Sequence, residues 1–345
     1  MMRVPSREAL GRWCVANSGR LGMEGGGRVA LRGLEVEVLR HVPGKRWTAR
    51  LSGTLGRGRQ TRGFVAIVKS YGSRRNAQDA YRTLEALDRL REAGAGEKHA
   101  RFYTPRPLAI DPEQRLVLVE ALAGESLEAA LPLVGGSPVL GELGQALARF
   151  HAGPAACRKR IDVRSLQGHL RRSACAIRAA FPGLAPHLDT LTRRLWLERP
   201  RPGRPTLLHG SFRLNHVLVH QGRLALIDLD GASVGPAEFD VANFLASLYY
   251  FEAEGRLHGI ERREIARRFL NGYRAVARWA LDPEALRWYR AALLVAKQAR
   301  KYATRPRREP ERKLRRMLSL AERSLRPASR RAERVRREGL GEVRA

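Results

Sequence analysis

The segment from Thr206 to Ala246 constrains the fold of this chain more than any other part of the sequence. It begins with an apolar pair that leads into His209 and Gly210 and then into a short polar loop. The stretches HVLV and LALID follow, separated by a Gln-Gly turn sequence, and the second stretch ends on Asp228. Short apolar runs on either side of a glycine-containing turn predict strands. The segment therefore predicts a polar loop and a strand-end carboxylate.

This order of residues resembles the HGDxxxxN loop and the following IDxx(D/E) strand of the aminoglycoside phosphotransferase and choline kinase family, a branch of the protein-kinase-like fold. In that family, the loop carboxylate orients and deprotonates the acceptor hydroxyl, and the amide five residues later holds magnesium. The strand-end Asp connects magnesium to the nucleotide phosphates. The resemblance implies that Asp228 is a metal ligand, that His209 supports the loop through hydrogen bonds, and that the cofactors are ATP and Mg²⁺. The segment GPAEFD, which ends at Asp240, matches the family's support of the loop.

Two positions depart from the family pattern. Ser211 stands where the family has its catalytic Asp, and His216 stands at the second metal position, with Asn215 one residue too early. A serine hydroxyl cannot take a proton at neutral pH, and magnesium prefers oxygen ligands to imidazole nitrogen. A positioned base contributes about 10²- to 10⁴-fold to a rate, so we expect impaired or altered catalysis. Asp230 is the candidate to replace the missing base.

The sequence upstream of this segment predicts a small β-rich lobe. From Leu34, three runs bounded by turn residues predict antiparallel strands, a helix follows from about Arg75 to Ala93, and two further strands come after it: LEVEVLRHV, WTARLSGTL, FVAIVKSY, then TPRPLAID and RLVLVEALAG. This order matches the small lobe of a protein-kinase-like fold. We therefore expect an α+β fold with two lobes, a small antiparallel sheet and a mostly helical large lobe.

The resemblance also assigns nucleotide contacts in this small lobe. Lys69, at the end of the third strand, matches the lysine that contacts the α- and β-phosphates and needs an acidic partner. Asp79 and Glu85 on the following helix are both available, and Asp79 is the preferred candidate. Glu120 and Ala121 fall where the family offers backbone groups to the adenine ring.

The expected domain boundaries follow from these assignments. Residues 1–33, with their glycine cluster, are expected to be an irregular lead-in, and residues 34–120 the nucleotide-binding lobe. Residues 121–305 are expected to be the helical lobe that carries the catalytic loop and the metal strand. Residues 306–345 are rich in Arg and Glu and are expected to be a basic, solvated helix with a frayed end.

Composition limits the other functional classes. The net charge of +31 raises nucleic acid or an anionic membrane as partners, but aromatic residues make up only 6% of the chain and no nucleic-acid-binding motif is present. A neutral or anionic small-molecule acceptor is favoured, because the helices after residue 252 carry more Arg and Lys than Asp and Glu. Three separated cysteines and the lack of a long apolar stretch predict a cytoplasmic protein.

Three histidines close together, His209, His216 and His220, follow no usual zinc-ligand spacing, so zinc is not favoured. Two hypotheses then remain nearly equal. The chain is either an ATP-dependent phosphotransferase with an altered base, or a catalytically inactive kinase-fold protein that binds nucleotide and serves as a regulator or scaffold.

Overall fold

The computed structural model describes residues 5–42, 46–93, 102–134, 138–153, 157–257 and 259–326. Its α-helices, in chain order, are α1 (Arg7–Ala16), α2 (Arg74–Ala93), α3 (Leu127–Val134), α4 (Val139–Ala152), α5 (Val163–Ala180), α6 (Ala185–Leu197), α7 (Ala237–Ala253), α8 (Gly259–Val276), α9 (Pro283–Leu293), α10 (Arg300–Thr304) and α11 (Pro310–Ser324). A π-helical segment, Leu294–Ala299, joins α9 to α10. No helix in these described ranges is long and apolar enough to cross a membrane.

The strands are short except for the first three. In chain order they are β1 (Ala30–Val42), β2 (Arg46–Arg57), β3 (Gln60–Ser70), β4 (Phe102–Tyr103), β5 (Pro107–Asp111), β6 (Leu116–Glu120), β7 (Glu125–Ser126), β8 (Pro205–Leu208), β9 (Val217–His220), β10 (Arg223–Leu226) and β11 (Ser233–Pro236). The expected α+β fold, with a small antiparallel sheet and a mostly helical part, is confirmed.

The chain divides into two compact units, and the first comprises the described parts of 1–131 and 215–230. Its main sheet is antiparallel with the strand order β1-β2-β3-β6-β5. Trp47, Ala49, Leu51 and Leu55 of β2 point to one face and are almost completely buried. This period of two gives the sheet an apolar face, and each large side chain buried there stabilises the fold by about 1.5–3 kcal/mol.

The first unit also contains a second sheet, with the order β4-β10-β9-β7. The strands of the metal segment are expected in the helical lobe, whereas the structure groups β9 and β10 with the first unit. The reason is that β10 pairs with β4 and β9 pairs with β7, and these partners are strands of only two residues. Strands that short leave no recognisable apolar pattern in a sequence.

The expectation of an irregular lead-in is wrong for α1. Ser6 caps this helix, because its hydroxyl accepts a hydrogen bond from the backbone N–H of Ala9 at 3.2 Å. Leu10 and Cys14 lie one helical turn apart and are both buried in the core of the first unit. The glycine cluster that follows α1 dominates the composition of the region and concealed this short amphipathic pattern.

The second unit, the described parts of 132–214 and 231–345, is mostly helical. The antiparallel pair β8 and β11 crosses it, with Leu208 opposite Ser233 and Pro205 opposite Pro236. Helix α7 follows β11 directly and is buried on nearly all sides. A helix that is buried all round is a central element of its core.

The expectation that the chain after Pro306 is solvated is wrong for α11. Leu314, Met317, Leu318 and Ala321 are fully buried, at the spacing of three and four residues that marks one helical face. The many charges of this segment occupy the other face. The remainder of the basic tail lies outside the described residues.

Candidate functional site

The loop that begins at His209 is held by a buried carboxylate of the second unit. Asp240, near the start of α7, is 0% exposed, and its two oxygens accept hydrogen bonds from the backbone N–H groups of His209 at 2.6 Å and Gly210 at 2.9 Å. His151 Nε2 lies 3.3 Å from the same carboxylate, and His151 Nδ1 lies 2.8 Å from the hydroxyl of Tyr273. Burial opposes the charge of Asp240, but its hydrogen bond to and attraction by His151, together with His209, keep its pKa below the usual value.

Gly210 is required by both the backbone and the packing at this loop. Its φ is +75°, a region that residues with a Cβ rarely adopt. A Cβ at this position would also lie 1.9 Å from the carbonyl oxygen of Gly231, which is a severe clash. The loop can therefore turn sharply after β8 and bring residue 211 into a defined position.

Side chains of the second unit fix the rest of the loop. The Ser211 hydroxyl lies 3.4 Å from His209 Nδ1, within hydrogen-bonding distance. Phe212 anchors the loop in an aromatic group with Phe244 and Phe269. The side-chain amide of Asn243 donates to the carbonyl of Phe212 at 2.7 Å.

Lys297, in the π-helical segment, is a site residue that the sequence analysis missed. Its ammonium group donates to the carbonyl of Gly210 at 3.2 Å and to Asn243 Oδ1 at 3.0 Å. Burial lowers the pKa of Lys297 to about 8, against the opposing attraction of Asp240. A π-helical segment inside a helix often marks a functional site, but it has no simple sequence pattern, and Lys297 is 86 residues beyond Ser211 in the chain.

We expect the stability of the protein to rise with pH where Lys297 titrates. The pKa of an unfolded lysine is about 10.4, so between pH 8 and that value the unfolded chain binds more protons than the folded chain, and deprotonation favours folding. The effect of one lysine is at most about 1.4 kcal/mol per pH unit. Urea denaturation between pH 7 and pH 10 should show a shallower rise for Lys297→Met than for the parent. Equal slopes would contradict the depressed pKa.

A second group of polar side chains, the Lys69 cluster, lies in the first unit and comprises Lys69, Tyr71, Arg46, Asp228 and Asp230. Lys69 Nζ lies 3.0 Å from Asp230 Oδ1 and 3.4 Å from Asp228 Oδ1. The Tyr71 hydroxyl donates to Asp230 Oδ1 at 3.0 Å, and Arg46 lies 3.8 Å from its other oxygen. Burial alone would lower the pKa of Lys69, but the two carboxylates outweigh burial and raise it. Lys69 is therefore positively charged at neutral pH.

The expectation that Asp79 pairs with Lys69 is wrong. The structure pairs Lys69 with Asp228 and Asp230, whereas Asp79 lies 3.9 Å from Arg75 on its own helix and is 39% exposed. The buried residues Ala77 and Leu84 define the inner face of α2. At 100° per residue, Asp79 points well away from that face.

Asp228 lies beyond its strand rather than at its end, because β10 ends at Leu226. Its φ is +60°, which is uncommon for any residue other than glycine and is best tolerated by Asp and Asn. Backbone outliers of this kind concentrate at functional sites. The turn aims the carboxylate at Lys69 instead of along the sheet.

His216 also belongs to the surroundings of Asp228. Its Nε2 lies 3.3 Å from Asp228 Oδ2, and its carbonyl accepts from the backbone N–H of Ile227 at 2.9 Å. The neighbouring Asn215 has a buried Oδ1 without a hydrogen-bond partner. An oxygen that lacks a partner is a better magnesium ligand than an imidazole nitrogen.

The residues present fit a magnesium ion that is shared with phosphate groups. In the described part of the chain, no three His, Cys, Asp or Glu residues form a metal-binding group. Magnesium does not need such a group, because it is usually bound by one or two carboxylates, with phosphates and water supplying the other ligands. Asp228 and Asp230 would supply those carboxylates, and Lys69, which lies within 3.4 Å of both, would supply a charge for a phosphate.

The expected adenine contacts, Glu120 and Ala121, lie at and just after the end of β6. The backbone N–H of Glu120 donates to the carbonyl of Arg106 at 2.9 Å. The carboxylate of Glu120 accepts from the backbone and the guanidinium of Arg106. The side chain of Glu120 is thus engaged with Arg106, in the segment just before β5. Adenine recognition at Glu120 and Ala121 stays a prediction.

Comparison with known proteins gives one family and a set of similar folds. Residues 57–289 match the model of the phosphotransferase enzyme family, APH. No curated protein matches the chain.

Among solved structures, amicoumacin kinase hAmiN, in complex with AMP-PNP, Ca²⁺ and Ami, is similar with a TM-score of 0.59 and 13% identity, covering 93% of this chain and 94% of that one. A thermostable mutant of aminoglycoside phosphotransferase APH(4)-Ia gives a TM-score of 0.55 and 15% identity, and the match covers 91% of this chain and 98% of that one. Choline kinase LicA from Streptococcus pneumoniae gives a TM-score of 0.53 and 14% identity, and the match covers 84% of this chain and 94% of that one. At these identities the similarity is one of fold.

Proposed function

We propose that this chain, which belongs to the phosphotransferase enzyme family, is an ATP-dependent phosphotransferase with an altered catalytic loop that acts on a hydroxyl group of a small molecule. The observation that carries the proposal is the Lys69 cluster, in which one half-buried ammonium lies 3.4 Å from the carboxylate of Asp228 and 3.0 Å from that of Asp230. Charge neutralisation and positioning account for most of the catalysis of phosphoryl transfer. This cluster offers both kinds of charge.

Within this proposal, Lys69 binds nucleotide phosphate oxygens, and Asp228 and Asp230 hold Mg²⁺. The metal, when bound, neutralises charge on the phosphates and orients them. Asn215 Oδ1, which is buried without a partner, is a better candidate for a further metal contact than His216. His216 instead orients the Asp228 carboxylate from 3.3 Å. Backbone groups at Glu120 and Ala121 contact the adenine ring.

The acceptor is proposed to be neutral or anionic, because cations surround the residues that follow the loop. Lys301 Nζ donates to Gln298 Oε1 at 2.7 Å and lies 3.6 Å from the ring centroid of Tyr250. Burial, together with the charges of Arg213, Arg305 and Arg307, lowers the pKa of Lys301 to about 7. A polycationic aminoglycoside would add to this repulsion. Tight binding of such an aminoglycoside would refute this part of the proposal.

The alternative is a catalytically inactive, nucleotide-binding regulator or scaffold. Ser211 favours it, since an alcohol cannot act as a base at neutral pH, whereas the intact Lys69 cluster is compatible with both functions. A basic protein that binds nucleic acid or membranes is a weaker alternative, and binding that collapses between low and moderate salt would support it. We also propose a cytoplasmic location, because the free cysteines Cys14, Cys157 and Cys175 suit a reducing compartment.

A titration of the full chain with Mg²⁺ and AMP-PNP tests nucleotide binding without turnover. We expect Lys69→Met to weaken nucleotide binding by about tenfold or more, since a charge-assisted hydrogen bond to phosphate is lost. Lys159→Met is the matched control, because Lys159 is exposed and belongs to the second unit. Calorimetric titration measures both dissociation constants.

The same variant separates a binding site from a merely structural ion pair. Without Lys69, Asp228 and Asp230 repel each other, so Mg²⁺ alone should raise the thermal midpoint of Lys69→Met more than that of the parent. If Mg²⁺ and nucleotide bind neither protein, both leading functions are refuted.

A further inference from the structure

A cavity of about 450 Å³ lies within the second unit, away from the catalytic loop. Its walls come from the start of α5, the segment before β8, and the paired ends of β8 and β11. Cavities of a few hundred Å³ are the usual size of small-molecule sites. Pro205 and Pro236 lie at this end of the strand pair, while His209 follows the other end of β8. The lining reaches as far as Val234, opposite Leu207, but contains no residue of the loop 209–214, so the cavity is distinct from the loop.

Gln167 supplies an unsatisfied donor to this cavity. The side chain lines the cavity, is only 8% exposed, and has a buried Nε2 without a hydrogen-bond partner. A buried donor without an acceptor is unfavourable and rare in folded proteins. Since Nε2 is closed to solvent, the side-chain amide has to turn toward the cavity for an acceptor oxygen of a bound molecule to satisfy it.

Three arginines and one carboxylate line the cavity, and a second carboxylate, that of Glu238, lies beside Gly203. Arg160, Arg164 and Arg199 line it, and none of them forms an ion pair within the described ranges. The one carboxylate in the lining, Asp162, is already used as the cap of α5, where it accepts from the backbone N–H of Ser165 at 2.7 Å. Guanidinium groups favour planar carboxylates and phosphates, which they can bind through two hydrogen bonds.

The remaining walls are apolar and firmly built. Val163, Val234 and the ring of Tyr289 face the cavity, as do several prolines of the segment 200–205. The backbone N–H of Ile161 donates to the carbonyl of Val234 at 2.9 Å. A Cβ on Gly235 would lie 2.4 Å from the carbonyl oxygen of Ile161, so only glycine allows this close approach.

We infer that this cavity is a second ligand site, which binds an organic anion with a carboxylate or phosphate head group and an apolar body. The head group contacts the arginines at the mouth and accepts a hydrogen bond from Gln167 Nε2. The apolar body packs between the prolines and Tyr289. The site needs no nucleotide, and its ligand is different from the acceptor of the proposed reaction.

Three probes that share a naphthalene ring test this inference on the full chain: 2-naphthoate, 2-naphthyl phosphate and the uncharged 2-naphthamide. Binding is measured calorimetrically with saturating Mg²⁺ and AMP-PNP, so that the nucleotide site is occupied. We expect at least one anion to bind about tenfold or more tightly than the amide, and the preferred anion identifies the head group. Binding of neither anion, or equal binding of the amide, would overturn the inference. An anion that binds only when nucleotide is absent occupies the other site and would also overturn it.

Variants locate the binding in the cavity. Gln167→Leu should weaken the preferred anion about tenfold without lowering the thermal midpoint of the unliganded protein, because it removes a donor that had no partner. Arg164→Gln, an exposed change that cannot disturb the core, should weaken it similarly, whereas Arg171→Gln on the exposed face of the same helix should have no effect. Unchanged affinity in both Gln167→Leu and Arg164→Gln, or an equal loss in Arg171→Gln, would refute the site.

Discussion

Ser211→Asp should raise the turnover of ATP with a suitable acceptor by about 10²- to 10⁴-fold, the contribution of a positioned general base. The loop is already built to hold a side chain at this position. Asp240 fixes the two preceding N–H groups, and Lys297 binds the Gly210 carbonyl. The charge of Lys297 would favour the ionised form of a carboxylate at position 211. ADP formation with and without Mg²⁺, over a panel of small-molecule alcohols, measures the effect.

Ser211→Asn is the matched control, because Asn has the shape of Asp but cannot take a proton. A gain in Ser211→Asp alone, on an acceptor that the parent barely uses, would show that the natural protein is a nucleotide-binding protein that has lost its base. Substantial parent activity with no gain in the variant would show that another group, or the substrate itself, serves as the base. No turnover in either protein, although both bind nucleotide, would contradict the proposed chemistry.

The first unit could be predicted well from local patterns. Strands β1, β2, β3, β5 and β6 and helix α2 lie close to their expected positions. Each of them has an apolar pattern of its own. The order of these elements also singled out Lys69 as the candidate phosphate-contacting lysine. Its partners could not be identified this way, because Asp228 and Asp230 are about 160 residues away in the chain.

The loop was recognisable from its sequence, but its support was recognisable only in part. Asp240 follows the loop within a motif and could be found, whereas His151, Asn243 and Lys297 come from α4, α7 and a π-helical segment. Their roles depend on tertiary packing that no local period encodes. The same limit explains α1 and α11, whose polar compositions concealed narrow apolar faces.

Asp240→Ala should destabilise the protein by about 3–5 kcal/mol, the usual result of removing one partner from a buried charged network. The change leaves the N–H groups of His209 and Gly210, and the imidazole of His151, without their acceptor in a site that is closed to water. Each such group costs about 1–3 kcal/mol. Since whole domains are stable by only about 5–15 kcal/mol, the loss should be obvious in urea denaturation. Asp189→Ala removes an exposed carboxylate that pairs with Arg178 and should cost less than about 1 kcal/mol.

The pH dependence of the loss separates the charge of Asp240 from the space that it fills. The folded pKa of Asp240 lies below that of an unfolded Asp, which is about 3.9. Its contribution is therefore present in full above that value and disappears as the pH falls through the lower folded pKa. The difference in stability between the parent and Asp240→Asn should be largest near neutral pH and shrink below about pH 4. A difference that is constant from pH 7 to pH 3 would mean that Asp240 supports the loop by shape alone, and the catalytic loop would then not depend on a buried charge.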